Sequence, residues 1–437
     1  MSTESMPGYG PVPEALGPLR IPSDPEANSR DESWADPRAR AWLEVRASAL
    51  RANFRRVRAA VGPGVGIIPM VKANAYGLGI AGAVRTLREE APLGWGVATV
   101  DEGLRLVELG VSEPIRIFSP VPPGDLARAW RAGLRPSLSD LSCLEGIPAG
   151  LAGTFDVEVD TGMGRSGFDA REVGHWAPAL LARSVGEGHP DATGDSPGLL
   201  WTGLFTHLHS ADDPDPAAAL ATVKEQMDRF QAVLAAVDRY ADEAGHPRLQ
   251  RHVANSAGAL RFADRMAAFD AVRPGIAIYG GSVGSGQGLQ ETVAVRARVT
   301  RVTSVPAGTT LGYASTYRSR GPERWATLGI GYGDGLPRAL SNRGFALVAG
   351  RRVPIIGRIS MDMTVVDVTD VAHVRPGDVA TLVGTDGGET IPLAEVAEHA
   401  RTIDYEVLTG WTPRLPRIWL HASPGGRAGE MAEGEDE

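Results

Sequence analysis

Between residues 42 and 285, short apolar runs alternate with helix-periodic stretches, and this alternation constrains the fold more than any other feature of the chain. The runs GIIPMVK ending at Lys72, WGVATV at Val100, IRIFSPV at Val121, TFDVEVD at Asp160, LLWTGLFTHL at Leu208, RHVAN at Asn255 and GIAIYG at Gly280 are rich in Val, Ile and Leu. Such runs read as buried strands. Helices fit between them. From Pro216 to Ala244, the residues Leu220, Val223, Met227, Phe230, Leu234 and Val237 recur on one helical face. Asp215 can cap the start of that helix, Pro216 suits its first turn, and Gly245 can end it. Repeated strand–helix units predict a (β/α)8 TIM-like barrel over residues 39–287. A doubly wound sheet is the rival that periodicity alone does not separate.

After about residue 288 the helical pattern fades. ETVAVRARVTRVTSV, ATLGIGYG, RRVPIIGRIS, MTVVDV and DVATLVG are strand-like and separated by Gly, Pro and Asn turns. They predict a mainly-β domain over residues 288–423, to which a first strand at about 40–46 is expected to pair. Residues 1–38 and 424–437 are rich in Pro, Gly, Ser and acidic groups without apolar periodicity, and they read as a disordered arm and tail.

Composition narrows the function. Apolar residues make up 43% of the chain, enough to bury a real core. No apolar run approaches the roughly 18–20 residues that span a bilayer, and the first residues lack a basic stretch followed by an apolar one. The single cysteine, Cys143, excludes an internal disulfide and a cysteine-built metal site. Together these features lead to the expectation of a cytoplasmic protein that is not bound to membranes. The net charge of −9 gives no electrostatic footprint for nucleic acid.

Lysine and arginine total 44, yet only Lys72 and Lys224 are lysine. A chain that fills almost every basic position with arginine keeps lysine where its amine is needed. A lysine amine can be tuned to condense with a carbonyl, which arginine cannot do. Lys224 sits in a polar helical stretch and reads as a surface residue. Lys72 closes an apolar run and opens the loop VKANAYGLG. Catalytic groups collect at the C-terminal ends of barrel strands. A partly desolvated amine there is easier to keep neutral and nucleophilic. Gly77 and Gly79 permit close backbone approach, and the Tyr76 hydroxyl can donate to a phosphate.

VKANAYGLG resembles the cofactor-lysine motif of the alanine racemase family, whose members join a barrel to a β-domain and use pyridoxal 5′-phosphate (PLP). Further matching segments recur in family order across roughly residues 40–420. The resemblance implies that Lys72 holds PLP and that Arg165, in VDTGMGRSG, faces the phenolic oxygen of the cofactor. Standing alone, such an arginine would more often pair with a neighbouring carboxylate. His207, in LFTHLHS, is implied to lie beside the cofactor ring, with His209 unassigned. Ser256, in HVANSAG, and the amides of Gly275 and Ile276, in VRPGIAIYG, are implied to hold the phosphate together with Tyr76. Arg273 is implied to meet the pyridine nitrogen. A cation there disfavours protonation of the ring, so the carbanion should be short-lived and proton return should prevail over transamination.

Tyr313, in LGYASTY, resembles the tyrosine that reaches the partner's site in a homodimer. Lys72 and Tyr313 are then the two catalytic proton carriers, one on each face of a planar carbanion. Met361 and Asp362, in GRISMD, match the loop that meets the substrate carboxylate together with Arg165. Tyr332 and Asp334, in GYGDG, match a segment at the inner entrance. The expected activity is interconversion of L- and D-alanine, with a place in cell-wall synthesis or secondary metabolism left open.

Two positions depart from the family pattern. Glu158 stands where the family commonly has a lysine that is carbamylated to support the arginine, so a carboxylate is already present there. Pro413 stands where the family typically has a tyrosine that bonds the phosphate. The loss of that phenol costs a hydrogen bond worth on the order of 1 kcal/mol unless water or Thr412 substitutes, and it enlarges the pocket, which points to relaxed specificity. A racemase of serine, lysine or several amino acids is the alternative on the same fold. A PLP-binding barrel without turnover fits less well because of the β-domain carrying Tyr313. A barrel decarboxylase fits less well because Arg273 replaces the acidic partner expected at the pyridine nitrogen.

Overall fold

The computed structural model describes residues 39–145, 151–184, 198–284 and 287–421. The arm over 1–38 and the tail over 424–437 lie outside the described residues.

Eight parallel strands form one sheet in the spatial order Gly66–Ile67, Ala271–Val272, Gln250–Val253, Leu199–Phe205, Gly153–Asp160, Arg135–Leu138, Ile115–Ile117 and Trp95–Val97. A bridge between Met70 and Gly96 joins the first strand's continuation to the last strand and closes the barrel. Val71 N donates to Gly96 O at 2.8 Å, and Gly96 N donates to Pro69 O at 3.0 Å. Closure leaves no sheet edge and directs the strand ends to one rim. The strands carry bulky apolar side chains, among them Trp95, Phe155, Val157 and Trp201, all buried.

Two elements differ from the sequence-based expectation. GIAIYG is not a strand: Ile278 N donates to Gly275 O at 2.9 Å and Tyr279 N to Ile276 O at 3.1 Å, so the run turns back on itself. Complete burial of Ile276, Ala277 and Ile278 makes a buried turn look like a buried strand. The barrel strand is Ala271–Val272, just before it. Conversely, Arg135–Leu138 is a strand that the sequence hides, because Pro136 removes a ladder donor.

The helix Pro216–Glu243 starts where expected, with the Asp215 carboxylate accepting from Ala217 N at 2.9 Å. Val223, Met227, Phe230, Leu234 and Val237 are buried, but Leu220 is exposed and Gln226 takes a place on the inner face.

The second sheet is mainly antiparallel and is organised on the long strand Val293–Val305. That strand pairs with Ala41–Arg46, Glu323–Leu328 and Val379–Asp386, shifting register near Val295 and Val299 to serve several neighbours. Ala41–Arg46 also runs parallel to Arg417–Leu420, with Val45 opposite Trp419. The chain thus begins and ends its described course in the second sheet, entering the barrel through the helix Ala47–Val61. Trp419 lies so close to Gly82 that a Cβ there would overlap its ring. Two helices, Leu393–Ala400 and Asp404–Thr409, complete this part. Among the described residues no helix is long and apolar enough to cross a membrane.

Candidate active site

The loop after the first barrel strand is conformationally unusual. Lys72–Tyr76 is a short helical turn in which Ala73, Asn74, Ala75 and Tyr76 all have φ between 52° and 55°. Left-handed backbone costs an L-residue roughly 1–2 kcal/mol, so the turn must be held from outside. Glu102 Oε1 accepts from Ala73 N at 2.7 Å, and Asn74 Oδ1 accepts from Ile80 N at 2.9 Å. Arg417 donates to Gly77 O from both Nε at 3.0 Å and Nη2 at 2.8 Å. Glu102 is itself fixed in a capping box with Thr99. The strained turn presents Lys72 at the barrel rim.

Lys72 lines a cavity of about 400 Å³ with Met70, Tyr76, Phe118, Glu158, Arg165, Ser166, Phe205, His207, Asn255, Ser256, Arg273, Gly275, Ile276 and Tyr405. The side chain is solvent-accessible because it borders an open cavity, yet the walls still desolvate its amine. Burial lowers the Lys72 pKa, the Arg165 cation lowers it further, and Glu102 opposes both. The neutral amine, the form that acts as nucleophile or base, is therefore easier to reach.

One corner of the cavity is an anion cradle. Ser256 Oγ accepts from Gly275 N at 2.8 Å and from Ala277 N at 3.1 Å. Ile276 N makes no hydrogen bond among the described residues. The turn that displaces GIAIYG from strand geometry points the Gly275 and Ala277 amides at one oxygen. Tyr76 stacks on Tyr279 with ring centroids 4.5 Å apart. Its hydroxyl lies so close to Gly275 that a Cβ there would collide with it.

Two cations, Arg165 and Arg273, line the same cavity. Arg273 is buried, with Nη2 donating to Thr206 O at 2.7 Å and Nη1 meeting His252 Nδ1 at 3.0 Å. Its guanidinium lies over the rings of Phe205 and Phe118, at 4.8 and 5.4 Å from their centroids. Burial lowers its pKa to about 10, so it remains charged at neutral pH. Arg165 sits at the end of a loop held by Asp160, whose carboxylate accepts from Gly162 N and Gly164 N. Its Nη2 is 3.8 Å from Glu158 Oε1, while Glu158 Oε2 accepts from Ser166 Oγ at 2.6 Å. Burial raises the Glu158 pKa, with Ser166, Arg165 and Arg273 opposing. His207 is pushed down to about 3, first by burial and then by Arg273, Arg165 and Lys72, so it is a neutral imidazole.

The structure thus gathers Lys72, Tyr76, Arg165, His207, Ser256, Arg273, Gly275 and Ile276 around one cavity. Tyr313, Met361 and Asp362 do not line it. Tyr313 is 70% exposed and Met361 52% exposed. Asp362 neighbours Met361 in the chain and is bound to Arg414 Nη2 at 2.6 Å, and Arg40 donates to its carbonyl at 3.0 Å. Both arginines also meet the buried Asp334, at 2.5 Å from Arg40 and 3.3 Å from Arg414. Gly333 N donates to Met361 O at 2.8 Å, so GYGDG and GRISMD form one braced surface. Thr412 Oγ1 donates to Gly333 O at 3.0 Å, which commits the hydroxyl that would otherwise be free to replace the phenol absent at Pro413.

Sequence reasoning missed His252, Asp156, Phe118, Phe205 and Tyr405. The first two form a relay behind Arg273, with His252 Nε2 3.4 Å from Asp156 Oδ2. The only local signal for that pair is the presence of each on a barrel strand.

The family model described as alanine racemase, N-terminal domain, matches residues 45–283, and that for the C-terminal domain matches residues 292–419. An alanine racemase of Carboxydothermus hydrogenoformans is 34% identical over 391 residues, covering 87% of this chain and 99% of the relative. The solved alanine racemase of Streptomyces lavendulae, a D-cycloserine producer, superposes with a TM-score of 0.77 at 31% identity, over 88% of this chain and 98% of that one. The alanine racemase of Bartonella henselae, solved with covalently bound pyridoxal phosphate, superposes with a TM-score of 0.73 at 29% identity, over 87% of this chain and all of that one. With the same two domains, in the same order, around a strand-end lysine, the chain belongs to the alanine racemase family.

Proposed function

We propose that this chain interconverts L- and D-alanine using PLP held by Lys72, with Lys72 and Tyr313 of a second copy as the two proton carriers. The observation that carries this reading is the single cavity that holds a desolvated lysine amine, an anion cradle and a buried arginine. Those residues fit the group. The Ser256, Gly275, Ile276 and Tyr76 corner suits a phosphate, Arg165 suits a phenolic oxygen, and Arg273 suits a ring nitrogen.

Bound PLP would supply an electron sink for charge developing at the substrate α-carbon. Everything else falls to the chain. Arg273 would hold the ring nitrogen as a cation and would therefore disfavour its protonation. Glu158 and Ser166 steady Arg165. His207 remains neutral and adds no competing acid. The Lys72 amine takes or gives the α-proton on one face. Removal from one face and delivery to the other require a second group, and among the described residues that line the cavity the phenols are Tyr76 and Tyr405, which pack against each other.

Tyr313 fits that role from another copy. It is exposed, as are Tyr332, Met361 and Met363 of the braced surface. Exposed apolar groups of this kind mark an interaction site. A homodimer would bring Tyr313 to the partner's Lys72 and Met361 and Asp362 to the partner's substrate carboxylate. In one direction Lys72 accepts the α-proton and the Tyr313 hydroxyl delivers one. In the reverse direction the roles exchange.

Chiral chromatography of purified, PLP-loaded protein incubated with L-alanine tests the reading. D-Alanine should form, and Lys72→Ala should abolish it. Bound PLP without D-product from alanine or any other amino acid would overturn it.

A further inference from the structure

Arg417 opens the strand Arg417–Leu420 of the second sheet, with Leu43 opposite it on the neighbouring strand. A guanidinium carries five N–H donors, and all of those of Arg417 meet backbone carbonyls. Nε and Nη2 donate to Gly77 O at 3.0 and 2.8 Å. Nη2 also donates to Trp411 O at 2.7 Å, and Nη1 donates to Thr412 O at 2.5 Å and to Leu415 O at 2.7 Å. Among the described residues it makes no ion pair. A half-buried cation without a carboxylate costs free energy unless its donors are used. The fork geometry of the guanidinium, and not its charge, is what this position exploits.

Gly77 ends the strained Lys72 turn, with φ at 83° and its N donating to Ala73 O at 2.8 Å. Alternate residues of a strand share a face. Two positions on from Arg417, Trp419 accordingly lies against Gly82, in the helix Ile80–Arg88 that follows the turn. Leu408 O also packs on Gly77. The second domain thus holds the lysine loop at its exit and beyond. The carbonyl partners extend the connection, because Thr412 N donates to Asp334 O at 3.1 Å. One guanidinium therefore joins the turn that presents Lys72 to the braced surface that carries Met361 and Asp362.

We infer that Arg417 is a positioning residue for Lys72, fixing the lysine turn to the second domain so that the amine keeps its place in the cavity wall. The inference rests on Lys72 being the working amine of the proposed function. Four successive residues, Ala73 to Tyr76, have left-handed backbone, a conformation that L-residues leave unless they are held. Once the Arg417 bonds to Gly77 O are lost, the turn relaxes and the amine moves away from the wall and from Arg165 into solvent.

Arg417→Gln keeps an amide donor, loses the fork and adds no lysine. Brief acetylation of cofactor-free full-length protein over about pH 6 to 11, read by mass spectrometry of the peptides that carry Lys72 and Lys224, titrates the two amines separately. Lys224 is the only other lysine and is exposed, so it is the internal control. Lys72 should titrate below Lys224 in the unsubstituted protein. In Arg417→Gln its midpoint should move up toward that of Lys224, which should stay where it was. In the PLP-loaded proteins, kcat for D-alanine formation should fall about tenfold or more while KM changes by less than about threefold. A Lys72 midpoint that stays or falls in Arg417→Gln would overturn the assignment, and so would a loss confined to KM. If Arg417→Gln does not fold, Arg417→Lys, which keeps the charge with fewer donors, is titrated in the same way and must show the same upward move. Acetylation needs no cofactor, so failure of the unsubstituted protein to take up PLP would remove the proposed function while the titration still decides the role of Arg417.

Discussion

Arg273 Nη1 lies 3.0 Å from His252 Nδ1, with both side chains buried inside the barrel. Arginine can only donate, so Nδ1 must accept and the imidazole carries its proton on Nε2, toward Asp156 at 3.4 Å. The Asp156 carboxyl is pushed up by burial, but the His252 hydrogen bond and the Arg116 and Arg135 cations outweigh that and hold it below the ordinary range. A neutral histidine thus couples a buried carboxylate to the arginine at the proposed ring nitrogen.

That arrangement predicts an acid-labile core. Burial lowers the His252 pKa from 6.5 to about 4, with Asp156 opposing. The unfolded chain therefore takes up this proton first as the pH falls. The contribution of His252 is complete above about pH 6.5 and is lost as the pH falls toward 4. Urea unfolding at about pH 7.5 and about pH 4.5 should show a smaller difference between the two conditions for His252→Gln than for the unsubstituted protein. Equal pH dependence would show that His252 is not the group being protonated.

Glu158 supplies the carboxylate beside Arg165 and the acceptor for Ser166. Glu158→Gln keeps the Ser166 bond and removes the charge, and it should lower kcat/KM about tenfold. Glu158→Ala removes both and should cost more. Steady-state kinetics at neutral pH separates the two effects, and equal losses would assign the role to charge alone.

Gly275→Ala should act locally. Its Cβ would meet the Tyr76 hydroxyl and then the ring carbon that bears it, so the cradle must open while the barrel ladder is untouched. PLP affinity should fall by about tenfold or more with little change in Tm. A Tm collapse in Gly275→Ala would place the strain in the fold rather than in the site.

Much of this site is legible in the sequence because its chemistry lies in contiguous motifs. Lys72 and Tyr76 share one strained turn, Ser256 opens one helix, and Arg273, Gly275 and Ile276 lie within four residues of one another at one buried turn. The alternation of strand and helix conveys the barrel for the same reason, since both periods are local. The hidden part depends on closure. His252 and Asp156 lie 96 positions apart and meet only because their strands face one interior. Tyr405 reaches the cavity from a segment that Arg417 ties to Gly77, 340 positions away. The proline of Arg135–Leu138 conceals a strand, and GIAIYG reads as one because burial is complete in either conformation.

Substrate choice turns on Pro413. Pro413 supplies no phenol, so the protein is expected to racemise serine at a measurable fraction of its alanine rate. Pro413→Tyr should lower the serine-to-alanine ratio of kcat/KM. A single missing contact in a pocket changes such ratios by about ten- to a hundredfold. No detectable D-serine from the unsubstituted protein would show that the pocket is closed by other groups.

The most direct test of the central claim, that Lys72 and Tyr313 from different copies complete one site, is subunit complementation. Lys72→Ala and Tyr313→Phe should each be inactive as pure proteins. When the two are unfolded together and refolded, or co-expressed, about half of the dimers pair one copy of each kind, and each such dimer carries one intact site. D-Alanine formation should return to roughly a quarter of the activity of the unsubstituted protein. A mixture that stays inactive although mixed dimers form would contradict the account.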